Sequence, residues 1–174
     1  MQVMQSHFAL FGLPATFSVE GEALERSYRE IQSRVHPDRF AHAGDAERRA
    51  SLQWTTRVNE AYRVLKSPVQ RAKYLLELNG VDLAFETNTQ MPPEFLVRQL
   101  ELREALAEAR APEALERLQG EVHQERRQLE RGIGELIDAR RDYAAAAGEV
   151  RKLMFLDKLA AEIGLAFDLS LIHI

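Results

Sequence analysis

The sequence contains no cysteine, which excludes a disulfide framework and thiolate ligation of a metal. It has no run approaching the roughly 20 apolar residues that a membrane span requires. Met1 to Leu10 lacks the basic start, apolar core and small-residue cleavage site of a secretory leader. Charge of one sign is missing too: 23 Lys+Arg stand against 27 Asp+Glu, a net −4. Residues 1–80 hold 11 basic and 9 acidic side chains and the remainder 12 and 18, so the front carries +2 and the back −6. Such a small excess is far from the basic surface of a nucleic-acid binder. No Gly-rich phosphate loop, nucleophile elbow or paired-carboxylate pattern occurs, and His7, His36, His42 and His123 lack metal-ligand spacing. The expectations are a cytoplasmic location, no metal or cofactor, and binding to neither nucleic acid nor membrane.

What is present is helical periodicity almost throughout, with no strand run punctuated by hairpin signals, so the fold class is all-α. A short helix around Phe8–Leu10 ends at Gly12-Leu13-Pro14. Ser18 is available to cap a second helix with the inward stripe Leu24, Tyr28, Ile31 and Val35. That helix stops near His36, because Pro37 pushes the residue before it out of the α region. A polar loop, Asp38 to Gly44, leads to a third helix capped by Asp45 and running to about Lys66, with Leu52, Val58, Ala61, Tyr62 and Leu65 offered to the core. Ser67-Pro68 restarts a short helix closed by Asn79-Gly80. After a connection come three helices, about Pro93–Arg110, Pro112–Ala139 and Arg141–Ile163, whose short links favour an antiparallel three-helix bundle. Gly132 and Gly134 weaken the middle helix. The expected organisation is a front domain over 1–80, a linker over 81–92 and a bundle over 93–168.

The sharpest local signal is His36-Pro37-Asp38, between two amphipathic helices. Arg26, Arg29 and Arg34 lie off the apolar stripe of the helix before it; the helix after it ends Val58-Asn59-Glu60-Ala61-Tyr62, followed by Gln70-Arg71-Ala72-Lys73-Tyr74. In structural terms alone the tripeptide is a helix stop with an Asx-type turn, and the arginines are a solvated face. In this order, however, the segments resemble a J-domain over roughly residues 6–78. The resemblance implies that His36, Pro37 and Asp38 dock on a DnaK-type chaperone and promote its ATP hydrolysis, with Arg26, Arg29 and Arg34 steering an acidic partner surface. Two positions often basic in J-domains are Glu25 and Glu30 here.

A second set of phrases, Phe8-Ala9-Leu10-Phe11-Gly12-Leu13-Pro14, Gln99-Leu100-Glu101-Leu102-Arg103-Glu104 and Val150-Arg151-Lys152-Leu153-Met154-Phe155-Leu156-Asp157-Lys158-Leu159, is similar to the HscB family. With the front segments, that likeness spans nearly the whole chain to about Ala166. It implies that the front docks the chaperone HscA, that the back bundle binds the iron–sulfur scaffold IscU, and that the chain is not an enzyme. Without cysteine, any part in cluster chemistry is indirect.

The residues themselves suggest a second face. At 100° per residue, Phe95, Leu102, Leu106 and Ala109 share one side of their helix, while Leu96, Val97 and Leu100 fall near the opposite side beside Glu101 and Glu104. Leu153-Met154-Phe155-Leu156 points to all sides of a helix, so one of the four leaves the core. Either the front domain or a partner covers these residues. The family likeness implies scaffold binding, with Phe155 at the family's contact position. The alternatives are a J-protein for general misfolded clients and, in another class, an all-α enzyme or nucleic-acid module. ATPase stimulation, intrinsic turnover and salt-dependent nucleic-acid binding discriminate them. Residues 169–174, Leu-Ser-Leu-Ile-His-Ile, offer no polar face and match the peptide read from one frame of a widely used sequencing-library adapter. They are expected to be non-native, standing where more polar sequence would continue the last helix.

Overall fold

The computed structural model describes residues 5–83 and 91–172. Most of the expected linker, 84–90, lies outside the described residues. Helix α1 covers His7–Leu10, α2 Gly21–Val35, α3 Asp45–Lys66, α4 Pro68–Leu78, α5 Pro93–Glu108, α6 Pro112–Gly134 and α7 Tyr143–Ile172. Among the described residues there is no strand, as the periodicity predicts, and no helix is long and apolar enough to cross a membrane. The chain divides into two compact units, Met1–Leu75 and Leu76–Ile174.

In the first unit α2 and α3 form an antiparallel hairpin. Tyr28 meets Tyr62 in a stack with ring centroids 4.0 Å apart and donates to Asn59 at 2.7 Å, whereas Val35, two turns further along α2, meets Thr55 and Ser51, earlier in α3. Phe8, Leu24, Val58, Ala61, Leu65 and Ala72 are among the buried core residues. Gly12 and Gly80 end α1 and α4 alike. Each has a positive φ, 66° and 78°, which glycine adopts without steric cost. The following amide reaches back to the helix, Leu13 N–H to Phe8 O at 2.9 Å and Val81 N–H to Leu76 O at 2.9 Å.

Four local expectations are corrected. The second helix starts at Gly21, with Glu20 and not Ser18 at the capping position. The preceding residues are committed elsewhere: Phe17 is buried, its carbonyl accepts from Arg71 Nε at 2.6 Å, and Thr16 donates to the Ser18 carbonyl at 2.9 Å. Asp45 is the first residue of α3, after Gly44, and pairs with Arg48 instead of capping. The polar loop holds a 3-10 turn, Pro37–Phe40. Leu52 is exposed and Ser51 is buried in its stead, for a reason that belongs to the site.

In the second unit α5 and α7 run parallel, with Phe95 opposite Phe155 and Arg103 opposite Glu162. Leu102 of α5, Leu118 and Val122 of α6, and Leu156, Leu159 and Ile163 of α7 form the core, those of α6 and α7 at spacings of three and four residues. Gly132 and Gly134 are accommodated within α6. The helix widens only after them, in a π turn over Glu135–Ala139 that keeps Ile133 and Ile137 buried. α7 continues past the expected Ile163 to Ile172, with Leu165, Leu169, Leu171 and Ile172 exposed.

Candidate functional site

The first candidate site is the tip of the α2–α3 hairpin. Pro37 holds His36 in extended backbone, φ −57° and ψ 134°, and itself opens the 3-10 turn. His36 closes that turn: its Nδ1 accepts the Asp38 amide at 3.2 Å, and its carbonyl accepts the Arg39 amide at 3.0 Å. The Asp38 side chain is 93 % exposed, with its carboxylate 3.6 Å from His36 Nδ1. An anion is therefore displayed on a turn of fixed shape.

The anchor of this turn is polar. Carbonyls of the last helical turn lack helical donors, and Pro37 has no N–H to offer. The Val35 carbonyl is satisfied instead by two hydroxyls from α3, Ser51 Oγ at 2.6 Å and Thr55 Oγ1 at 3.2 Å. This is why serine, not Leu52, occupies the inward position. Ser51→Ala should lower the stability of the first unit by about 1 kcal/mol, since Thr55 retains part of the bond. An earlier first transition in thermal melts of the variant is the check.

The structure places Arg26, Arg29 and Arg34 on the outer face of α2, all exposed. Arg29 pairs with Glu25 at 2.8 Å and Arg34 with Glu30 at 2.6 Å. Arg26 makes no ion pair among the described residues.

The second candidate site is the outer face of α5. Leu96, Val97 and Leu100 are 46 %, 55 % and 65 % exposed, while Phe95 and Leu106 are half-buried and Leu102 is buried. The helix thus carries apolar residues on both sides, as the spacing indicates. Glu101 and Glu104 are exposed beside the leucines. Their environments differ: Glu101 accepts from Arg98 at 3.2 Å, and Glu104 has no ion pair among the described residues. Arg98 also holds Glu125 at 2.7 Å and Glu121 at 3.4 Å on α6. The hydrogen bond to Glu125, followed by those to the other carboxylates, raises its pKa further, so it stays charged at any working pH.

Phe155 does not stand free like the leucines. It is half-buried, meets Phe95 edge to face at 5.9 Å and 88°, and packs on the core. Of the four-residue run on α7, Leu153 and Leu156 are buried, and Met154 is the one that turns to solvent. Arg103, which sequence reasoning did not single out, lies over the Phe155 ring at 5.3 Å and pairs with Glu162. Its helical angle puts it between the core side and the Leu96–Leu100 side of α5, so it joins Phe155 to that face. The spacing of Arg103 three residues beyond Leu100 was the available signal.

Residues 91–164 match the family model described as the HSCB C-terminal oligomerisation domain. The chain is similar to the co-chaperone protein HscB homolog of Azoarcus sp. (strain BH72), 49 % identical over 171 residues, with 97 % of each chain covered. Among solved structures it resembles chaperone HscB from Vibrio cholerae, with a TM-score of 0.84 at 35 % identity, covering 95 % of this chain and 99 % of that one. It also resembles human co-chaperone protein HscB, with a TM-score of 0.88 at 27 % identity, covering 92 % of this chain and 81 % of the other.

Proposed function

The chain belongs to the HscB family of co-chaperones, and from that premise we propose that it stimulates the ATPase of a dedicated DnaK-type chaperone, HscA, and delivers the iron–sulfur scaffold IscU to it. The observation that carries this reading is the His36-Pro37-Asp38 turn, braced from α3 and presenting an exposed carboxylate. A loop tip fixed in shape and free of core duties suits a docking element. The chain supplies contacts and the chaperone the ATP chemistry, in the cytoplasm.

Residues 1–80 are assigned the chaperone and residues 93–168 the scaffold. Leu96, Val97 and Leu100 are the scaffold anchors, Phe155 with Arg103 their floor, and Glu101 and Glu104 the rim. Apolar groups exposed on one helix face and bordered by charge are the arrangement in which a few central residues carry an interface. Steady-state ATPase of HscA, measured with this chain and IscU separately and together, tests the assignment. Synergy between the two additions is the expected result; additive or absent stimulation would remove the adaptor role.

The two rim carboxylates should behave differently. Arg98 already compensates Glu101, so Glu104→Gln should change the salt dependence of scaffold binding more than Glu101→Gln, each altering affinity by less than about threefold at moderate salt. Calorimetric titrations of both variants across a salt series provide the comparison.

A further inference from the structure

Steering by α2 requires net positive charge on its outer face, and the helix does not have it. From Gly21 to Val35 it holds Glu22, Glu25 and Glu30 against Arg26, Arg29 and Arg34, a net charge of zero. All six are exposed; Glu25 and Arg34 flank the Leu24–Tyr28–Ile31–Val35 stripe, each about 90° from it, and the other four lie on the side opposite. Two of the three arginines are engaged within the helix, Arg29 with Glu25 and Arg34 with Glu30, in each case with the carboxylate four residues before the guanidinium. That orientation is the favourable one for a helical pair.

Pairs this exposed add little to stability, so their consequence is for whatever approaches. A partner meets dipoles where it would otherwise meet cations, and the field of a dipole falls off faster than that of a charge. With a screening length of about 10 Å at 0.1 M salt, long-range attraction from this face reduces to that of Arg26, with Glu22 one turn away. The cancellation does not require the two hydrogen bonds to be permanent. Each carboxylate lies one helical turn from its guanidinium, so the charges of each pair offset one another at any rotamer.

We propose that Glu25 and Glu30 are specificity-determining residues. They neutralise Arg29 and Arg34 within α2, so that this face has little attraction for an acidic surface as such and the partner is selected by contacts at His36–Asp38. The inference rests on the reading of α2 and the loop as the chaperone-docking face. Its partner class is a DnaK-type chaperone whose docking surface is acidic enough to respond when the cancellation is lifted.

The test is the full chain carrying Glu25→Gln and Glu30→Gln together, titrated into the chaperone's ATPase assay at several salt concentrations. Two unit charges acting at about 8 Å through water correspond to roughly a fivefold change. The half-saturating concentration should therefore fall about fivefold at low salt and converge on the parental value at high salt. Glu113→Gln with Glu116→Gln, both exposed on α6, makes the same change in net charge outside α2 and should titrate like the parent. Parental melting temperatures for both variants exclude a folding effect. Unchanged or weaker docking by the double glutamine variant overturns the proposal. Asp38→Asn in that background separates the two ideas: a salt-dependent gain that survives it supports the cancellation and rejects the loop as the docking element. A parental chain that stimulates no DnaK-type chaperone removes the docking reading, and this inference with it.

Discussion

Asp38→Asn is expected to abolish stimulation of the chaperone's ATPase and to leave folding and scaffold binding intact. The carboxylate is 93 % exposed, and its one ion-pair contact among the described residues is with His36, so the exchange removes a charge without disturbing packing. Asparagine has nearly the same shape and keeps the amide that His36 Nδ1 accepts. What it loses is an anion, and losing one partner of a charge-assisted contact buried on docking costs about 2–5 kcal/mol, roughly thirtyfold in affinity or more. Steady-state ATPase at saturating parental concentration should fall to the rate of the chaperone alone. Normal stimulation by the variant, with parental circular dichroism and melting, would take the loop out of the mechanism.

The second large effect is at the scaffold face. Leu96→Ala and Leu100→Ala should each weaken scaffold binding by about 2 kcal/mol, roughly thirtyfold. Both side chains are exposed in the chain by itself, so their truncation should change stability by less than about 0.5 kcal/mol. The contrast is Leu102, two residues on and buried at the centre of the core, whose truncation should cost about 3 kcal/mol of stability. Phe155 lies between these limits. It packs on Phe95 and under Arg103, so Phe155→Ala should lower both affinity and melting temperature. Calorimetry with the scaffold, paired with thermal melts, checks all four. Leucine variants that melt early yet bind normally would make the face structural.

Much of this fold was legible because its signals are local. Pro37 dictates where α2 stops; Gly12 and Gly80 supply the positive φ that closes α1 and α4. The double-sided apolar pattern of α5 follows from helical angle alone, and the structure exposes Leu96, Val97 and Leu100 while burying Leu102. What periodicity does not convey is which polar group a distant backbone atom will need. Ser51 is buried because of the Val35 carbonyl, sixteen residues back, and a hydrophobicity pattern prefers Leu52. Ser18 is a reasonable cap until the Phe17 carbonyl is taken by Arg71, a contact across 54 residues. Likewise, Phe155 and Met154 are indistinguishable by spacing, and only the position of Phe95 on a neighbouring helix decides that the aromatic turns inward.

The hydrogen bond from the Asp38 amide to His36 Nδ1 has a consequence for where a proton sits. A neutral imidazole that accepts at Nδ1 carries its hydrogen on Nε2. The ring is thereby committed to one tautomer by the shape of the turn. Its outer edge then offers a donor while the neighbouring carboxylate offers acceptors, two complementary polarities held at a fixed separation by Pro37 between them. Asparagine could imitate the inner acceptor and glutamine the outer donor. Histidine alone supplies both from one rigid ring, which accounts chemically for an imidazole at the head of this tripeptide.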